Sequence, residues 1–502
     1  MKQKIYNYGL FAFMLLVLIA MGGCKKFLDR KPLGVATDGD LTVGGVQGKV
    51  FGLYGQLRDQ GGMSDLAALF FKSVRSDDAQ KGSTPGDIGE LTDGMDHYQY
   101  TKDHWLLNSN WDGHYNFIYA CNDVLHEIDS LNLTDPGSLI NEAEAKFLRA
   151  YAYFDLVRDY GEVPLIDFKI NEPGDANVAK KSVAEIYALI DADLQFAYGL
   201  LPLSWGSQYP GRITKGAVST LQAKTMLYRK NWSGALAKSE EVINSGEYAL
   251  LNNYSDYFKE SGENSSESIF EIQMYENANG SVVYGNSYNQ VQGIRGSGDW
   301  DLGWGFNVPT ADLDASYETG DPRRGGTILY EGQPDGIYGR TIPTGLAQPM
   351  WNKKVYTDPA RQAATGDRFS YWLNIRILRY ADVLLMAAEA ANELGGTPNT
   401  TKALQYLEVV RSRARGGNNS VLPPVTTTNQ GLLRTAIKKE RRAEFGMEWE
   451  RFYDLVRWVP AADGIDAINI LGPLGYLNKC RYYPIPQPAL DRNPQLVQNP
   501  EW

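Results

Sequence analysis

Residues 214–250 read TKGAVSTLQAKTMLYRKNWSGALAKSEEVINSGEYAL, and the spacing of their apolar and small residues decides the fold class. The stretch reads as a helix, a turn of four or five residues, and a second helix. Thr214 stands where an N-cap belongs, since its hydroxyl can accept from an orphan amide of the first turn. The turn falls around Lys230 to Ser233. Small residues such as Ala223, Ala235 and Ala237 let the two helices approach closely.

Residues 378–417, LRYADVLLMAAEAANELGGTPNTTKALQYLEVVRSRARGG, repeat the arrangement. Ala387, Ala388 and Ala390 face a second helix that carries Leu404, Leu407, Val410 and Ala414. Helix pairs of about 34 residues with small residues at the contact have the look of tetratricopeptide repeats, although neither unit carries the full consensus. Earlier segments are helical too. Trp111, Tyr115, Ile118, Asn122, Leu125 and Ile128 share one face, as do Phe147, Tyr151 and Phe154. Gly161, as a left-handed cap, and Pro164 are expected to stop the second of these helices. Ser182 and Glu185 form a capping box for a helix with Ile186, Ile190, Leu194 and Ala197 on one side. The fold class is mainly α: a tetratricopeptide-like helical hairpin scaffold.

Between the two groups the periodicity lapses. Residues 262–370 are rich in Gly, Asn, Ser, Tyr and Trp, and no regular helix face hides their aromatics. Irregular segments this long in a compact protein are usually functional or disordered, and the aromatic content argues against disorder. The resulting division is a helical part over 41–261, a loop-rich candidate ligand region over 262–370, and a helical part over 371–502 that packs back on the repeats.

The N-terminus carries an address. Leu10 to Met21 is an apolar run preceded by Lys2 and Lys4. A spanning helix needs about 20 apolar residues, so the run fits a secretory signal peptide over 1–23. The tetrad Met21-Gly22-Gly23-Cys24 resembles a bacterial lipobox, which makes Cys24 the lipidation site and 24–40 a lipidated tether. The alternative is an ordinary signal peptide with a chance cysteine. Lysines follow Cys24 where an inner-membrane retention signal would place aspartate. The chain has 502 residues and net charge −11, and loss of Lys2 and Lys4 with the signal leaves −13. Such a charge argues against nucleic acid as a partner and fits a body held above a membrane by its N-terminal lipid alone. Of the three cysteines, Cys121 and Cys480 remain, either as two separate buried thiols or as a pair if the fold joins them.

Several stretches together resemble the SusD/RagB family of outer-membrane lipoproteins from Bacteroidetes. They are CKKFLDRKPLG, SDDAQKGST, RAYAYFDLVRDYGEVPLI, TKGAVSTLQAKTMLYRKNW, GWGFNVPTADLDASYETGDPRR, KKERRAEFGMEWERFYDLVRW and the closing NPQLVQNPEW, in that order along the chain. The resemblance implies four helical hairpins with loops over one side. It also implies a surface-exposed lipoprotein of the outer membrane that captures glycans and sits over a SusC-like TonB-dependent transporter as its partner.

Glycan capture calls for flat apolar faces, because sugar rings present C–H groups on their faces and hydroxyls at their edges; Tyr and Trp supply such faces. The chain has 31 Tyr and 11 Trp, many of them core. Phe445, Trp449 and Phe452 fall at i, i+4 and i+7 of one helix and read as structural. Trp300, Trp304, Tyr284 and Tyr288 lie in the irregular region, and Trp300, just outside the family's GWGFNVPT stretch, is the first choice. A second patch is the polar loop with Asp77, Asp78, Tyr98 and Trp105, which in the family contributes to the ligand face. The patch has other readings: a solvated loop with no ligand role, a structural calcium site on its clustered Asp and Glu, or Asp77 and Asp78 as a brace for the loop backbone.

No catalytic residues are nominated. His97, His104, His114 and His126 fall within thirty residues, but no two stand at i, i+4. A glycosidase needs two carboxylates about 5 to 9.5 Å apart, and no motif marks such a pair. No cofactor is called for. The 438–458 stretch reads as an ion-paired helix face with an aromatic core side. The function classes that remain are a non-enzymatic glycan-binding lipoprotein that hands its ligand to a transporter, the same architecture tuned to peptides, and a repeat adaptor that binds only protein.

Overall fold

The computed structural model describes residues 45–59, 61–89, 92–276, 283–365 and 371–502. The signal run and Cys24 lie outside them. The long helices are α1 (Val46–Asp59), α2 (Trp105–Ser130), α3 (Pro136–Tyr160), α4 (Val183–Leu200), α5 (Lys215–Tyr228), α6 (Trp232–Asn244), α7 (Tyr380–Leu394), α8 (Thr397–Arg415) and α9 (Gln430–Phe445). From α2 to α8 each packs on the next, while α1 lies across α2 and α3, and α9 closes back on α7. The body is mainly α and of tetratricopeptide type.

Local chemistry sets the helix ends. The Thr214 hydroxyl accepts from the Ala217 amide at 3.2 Å and starts α5. At α4 the Ser182 hydroxyl accepts from the Glu185 amide at 3.3 Å, and the Glu185 carboxylate accepts from the Ser182 amide at 3.0 Å. Asn231 caps α6 through the Gly234 amide at 3.1 Å. Gly161 ends α3 at φ 73° but ψ −113°, so its freedom at positive φ is used outside the left-handed helical well.

α7 is buried on nearly every side, Ala381 and Val383 to Ala388 included. A helix apolar all round belongs inside, and here α6 and α8 cover it. α6 and α7 are neighbours in space although 135 residues apart in the chain. The whole loop-rich region is therefore inserted into the stack between them. Its root is a clamp: β2 (Ser268–Ile272) pairs antiparallel with β6 (Ile375–Arg379), Ile272 opposite Ile375. Inside the insertion β3 (Phe306–Pro309) pairs with β1 (Ala79–Gly82), and β4 (Ile328–Tyr330) pairs with β5 (Met350–Asn352). Ile294, Leu302, Val308, Leu329, Ile342, Trp351 and Tyr356 form a second, smaller core there.

One helix of the sequence reading is two. α9 stops at Phe445, Met447 and Trp449 take φ of 69° and 73°, and a new helix begins at Arg451. Phe445, Trp449 and Phe452 are all buried nonetheless. The charged side of this stretch also turns inward. Arg379 bridges Glu444 at 2.7 Å and Glu267 at 3.0 Å; Arg323 bridges Glu440 at 2.6 Å; Arg441 bridges Asp382 and Asp454, each at 2.9 Å. All of these groups are buried. Cys121 and Cys480 are separate buried thiols.

Candidate loop-face ligand site

The second core displays the candidate aromatic. Trp300 ends a short turn, Gly298–Trp300, and rests half-buried on that core. The Arg340 guanidinium lies 4.9 Å from its ring centroid and reaches the exposed Asp299 carboxylate at 3.5 Å. A cation over an indole is worth about 0.5–1 kcal/mol at an exposed site, enough to steady the ring. Arg340 itself stands on a loop built by Asp335, whose carboxylate accepts from the amides of Ile337, Tyr338 and Gly339 at 3.0, 3.2 and 3.1 Å. Tyr338, half-exposed on the same loop, packs edge-on against Tyr356 at 5.5 Å. An indole face, a guanidinium, a carboxylate and a phenol on one rigid support suit the faces and edges of a sugar.

Close backbone packing sets the neighbouring stretch. Gly305 sits at φ 74°, and a Cβ there would stand 2.8 Å from the Trp351 ring. The Trp304 carbonyl accepts from the Ser83 hydroxyl at 2.6 Å. Trp304 packs, half-buried, against the main core, so its stretch joins the two cores. Asp87 bridges Arg295 at 2.7 Å, and the Ser83 and Thr84 hydroxyls together with Arg295 hold its carboxyl below the usual range.

Tyr284 is exposed, at 39 %, and stacks on Tyr275 with centroids 6.1 Å apart and planes 28° apart. Arg58 lies over its ring at 5.7 Å. Trp105 is exposed too, at 44 %, and stacks on His104 at the start of α2. The loop before Trp105 is tied to the C-terminal segment, with the Lys102 carbonyl accepting from the Gln487 amide at 2.9 Å. The second patch thus faces a different set of elements from Trp300.

Four candidates turn inward. Asp77 takes both nitrogens of the Arg451 fork at 2.7 and 2.8 Å, and Asp78 takes Arg442 at 2.7 Å. The Arg451 and Arg442 charges hold Asp77 low against its burial. These carboxylates anchor the loop to the α9 region instead of facing a ligand. Tyr98 donates its hydroxyl to the Arg75 carbonyl and packs edge-on against Tyr476 at 5.5 Å. Tyr288 packs edge-on against Trp449 at 5.2 Å. Burial pushes both phenols well up. Polar loops and aromatic-rich segments look alike in sequence whether they face inward or outward, which is why these four read as surface.

Sequence reasoning missed Arg340, Tyr338, Asp335 and Tyr275. Pro334-Asp335-Gly336 is a turn signal that marks the loop, but nothing local pairs Arg340 with Trp300. Among the described residues no three His, Cys, Asp or Glu side chains converge as a metal site, and no helix is long and apolar enough to cross a membrane.

Comparison with known proteins assigns this helical-repeat body with its loop-rich insertion to a family. Residues 266–502 match the model of the SusD family, and residues 27–227 match the model described as starch-binding, associating with outer membrane. The chain belongs to the SusD/RagB family. It is 26% identical to starch-binding protein SusD of Bacteroides thetaiotaomicron over 99% of each chain. Among solved structures it is similar to a laminarin binding SusD-like protein, with 29% identity, TM-score 0.75, and coverage of 91% of this chain and 99% of that one. It is also similar to surface glycan-binding protein A of Bacteroides thetaiotaomicron in complex with laminarihexaose, with 26% identity, TM-score 0.73, and coverage of 90% and 98%.

Proposed function

We propose that the protein is a cell-surface, non-catalytic glycan-binding lipoprotein, held in the outer membrane by a lipid on Cys24, that passes oligosaccharide to a SusC-like TonB-dependent transporter. The observation that carries the reading is the half-exposed Trp300 with Arg340 and Asp299 around it, on a core of its own. Relatives named for starch and laminarin binding support the ligand class. The family model's description supports the outer membrane. Tyr284 is proposed as a second stacking face. The helical stack offers the broad surface for the transporter, because repeat helices build extended protein-binding faces.

A glycan array with the purified protein tests the ligand class. Binding of peptides, or of protein alone, would point to the other two classes. Localisation is tested by Cys24→Ala in a strain that lacks the transporter. The substituted protein is expected in the soluble fraction or with its signal retained, and recovery in washed outer membranes at the wild-type level would refute lipid anchoring. Crosslinks to a co-purified barrel are expected through the repeat helices; crosslinks confined to 284–304 would reverse the arrangement.

A further inference from the structure

A cleft of about 350 Å³ has none of the Trp300 site in its lining. It lies between the 201–214 loop that joins α4 to α5, the residues just after α6, and the 263–271 segment that runs into β2. Trp205, Tyr209 and Tyr248 line it with Arg212, Glu263 and Ser265.

Its groups are held from behind. The Arg212 guanidinium forms a forked pair with the buried Glu144 carboxylate at 2.8 and 2.6 Å and lies 4.0 Å from the Trp205 ring centroid. Trp205 donates its indole N–H to the Ile213 carbonyl at 2.8 Å. The Tyr248 and Thr214 hydroxyls bond at 2.8 Å. Tyr209 stands edge-on to Trp205 at 6.3 Å. One Glu263 oxygen accepts from the Asn374 amide at 2.8 Å and lies 3.6 Å from Arg376. Burial pushes the Glu263 carboxyl up to about 7 against the pull of Arg376, so near neutrality it both donates and accepts. The Ser265 hydroxyl oxygen is closed off from solvent and has no hydrogen-bond partner among the described residues, so it backs the cleft wall instead of facing into it.

We propose that this cleft is a second carbohydrate subsite, taking a short stretch of neutral glycan between the Trp205, Tyr209 and Tyr248 rings and the Glu263 edge. Rigid aromatic walls fit sugar C–H faces, and the Glu263 carboxyl fits the hydroxyl edges. Arg212 is already matched by Glu144, while Glu247 and Glu271 also line the cleft, so the field there opposes an anionic sugar. The inference rests on the glycan-binding reading above but not on the Trp300 site. A second subsite would let one chain hold a polymer at two points, and two weak contacts on one ligand bind more tightly than either alone.

The test is isothermal titration with laminarihexaose, maltohexaose, cellohexaose, mannohexaose and xylohexaose, applied to the wild type, Trp300→Ala, Tyr209→Ala and Glu263→Gln. Circular dichroism confirms that each variant is folded; Glu263→Gln keeps the volume and serves if Tyr209→Ala does not fold. Two hexasaccharides per wild-type chain are expected, falling to one in Trp300→Ala. The cleft variants should weaken the site that Trp300→Ala leaves by about tenfold or more, as loss of a central contact does. One hexasaccharide per chain, lost in Trp300→Ala and untouched by the cleft variants, would overturn the second site and leave the loop-face reading standing. Binding lost only in the cleft variants would overturn the Trp300 site and uphold the cleft. Failure of all five sugars to bind would overturn both.

Discussion

Arginine serves opposite ends in the two halves of this molecule. In the helical body and at the root of the insertion Arg379 and Arg441 are buried and matched by Glu444, Glu267, Asp382 and Asp454 at 2.7–3.0 Å. In the insertion Arg340 and Arg295 remain partly exposed, beside Trp300 and Asp87. Buried charges demand partners, because an unpaired ion in a low-dielectric interior costs several kcal/mol. Exposed ones are screened and contribute little to stability. The body thus uses charge to fix how its helices and the root of the insertion fit together. The insertion leaves its charge beside an aromatic face, where a ligand can use it.

Acid acts on many buried carboxylates at once and should show the contrast at its largest. Neighbouring cations hold Asp155, Asp382 and Glu444 below their ordinary range. Their folded values lie under the unfolded ones, so below about pH 4.5 the unfolded chain binds more protons and stability falls as the pH drops. Urea unfolding at pH 3.5 should come at a clearly lower midpoint than at pH 6. Equal midpoints would mean that the buried network adds nothing to stability.

A single break in that network comes next. Arg379→Met leaves Glu444 and Glu267 short of a partner and should cost about 3–5 kcal/mol in urea unfolding. The corresponding change at the surface, Arg340→Met, should cost less than about 1 kcal/mol. Similar losses at both positions would erase the distinction.

Two tryptophans sharpen the comparison further. Trp449 is 8% exposed, with Lys72 5.0 Å from its ring and Tyr288 against its edge. Trp449→Ala should destabilise by about 3 kcal/mol or more, because a large buried ring leaves a cavity. Trp300→Ala should lower the thermal midpoint little. Its glycan binding should fall by about 2 kcal/mol, or roughly 30-fold, as at other aromatic hot spots. A folded Trp300→Ala protein that titrates like wild type would move the platform to Tyr284 or Trp105.

The last effect concerns a single group, Glu263, at the edge of the cleft. Its folded value near 7 stands above the ordinary 4.5. Between those values the folded protein keeps a proton that the unfolded chain has released, so stability falls as the pH rises through that window. Glu263→Gln should flatten this slope between pH 5 and 7.5 in urea titrations. An unchanged slope would show that the group titrates normally.

What was legible in the sequence follows from locality. The caps at Thr214, Ser182 and Glu185 were readable because a cap involves residues two or three apart, and α5 and α6 were readable because apolar periodicity reports one helix at a time. The irregularity of 262–370 was visible as lapsed periodicity. The run of family stretches from 24 to 502 gave the family that the comparisons show. At 438–458 the same reasoning failed, because a helical period carries through a break that only the positive φ of Met447 and Trp449 reveals.

Only the tertiary structure decided which polar and aromatic residues face water. Asp77 and Asp78 meet Arg451 and Arg442 across more than 360 residues of chain, and Arg340 meets Trp300 across 40. No local pattern records such partners. The insertion between α6 and α7 is likewise invisible to periodicity, since their adjacency depends on the β2–β6 clamp. Sequence by itself determined most of the long helices, the caps at Thr214, Ser182 and Glu185, and the family. Burial, and with it the choice between anchor and ligand contact, was settled by long-range packing, because the cost of hiding a charge or an aromatic edge depends on what the rest of the chain brings to meet it.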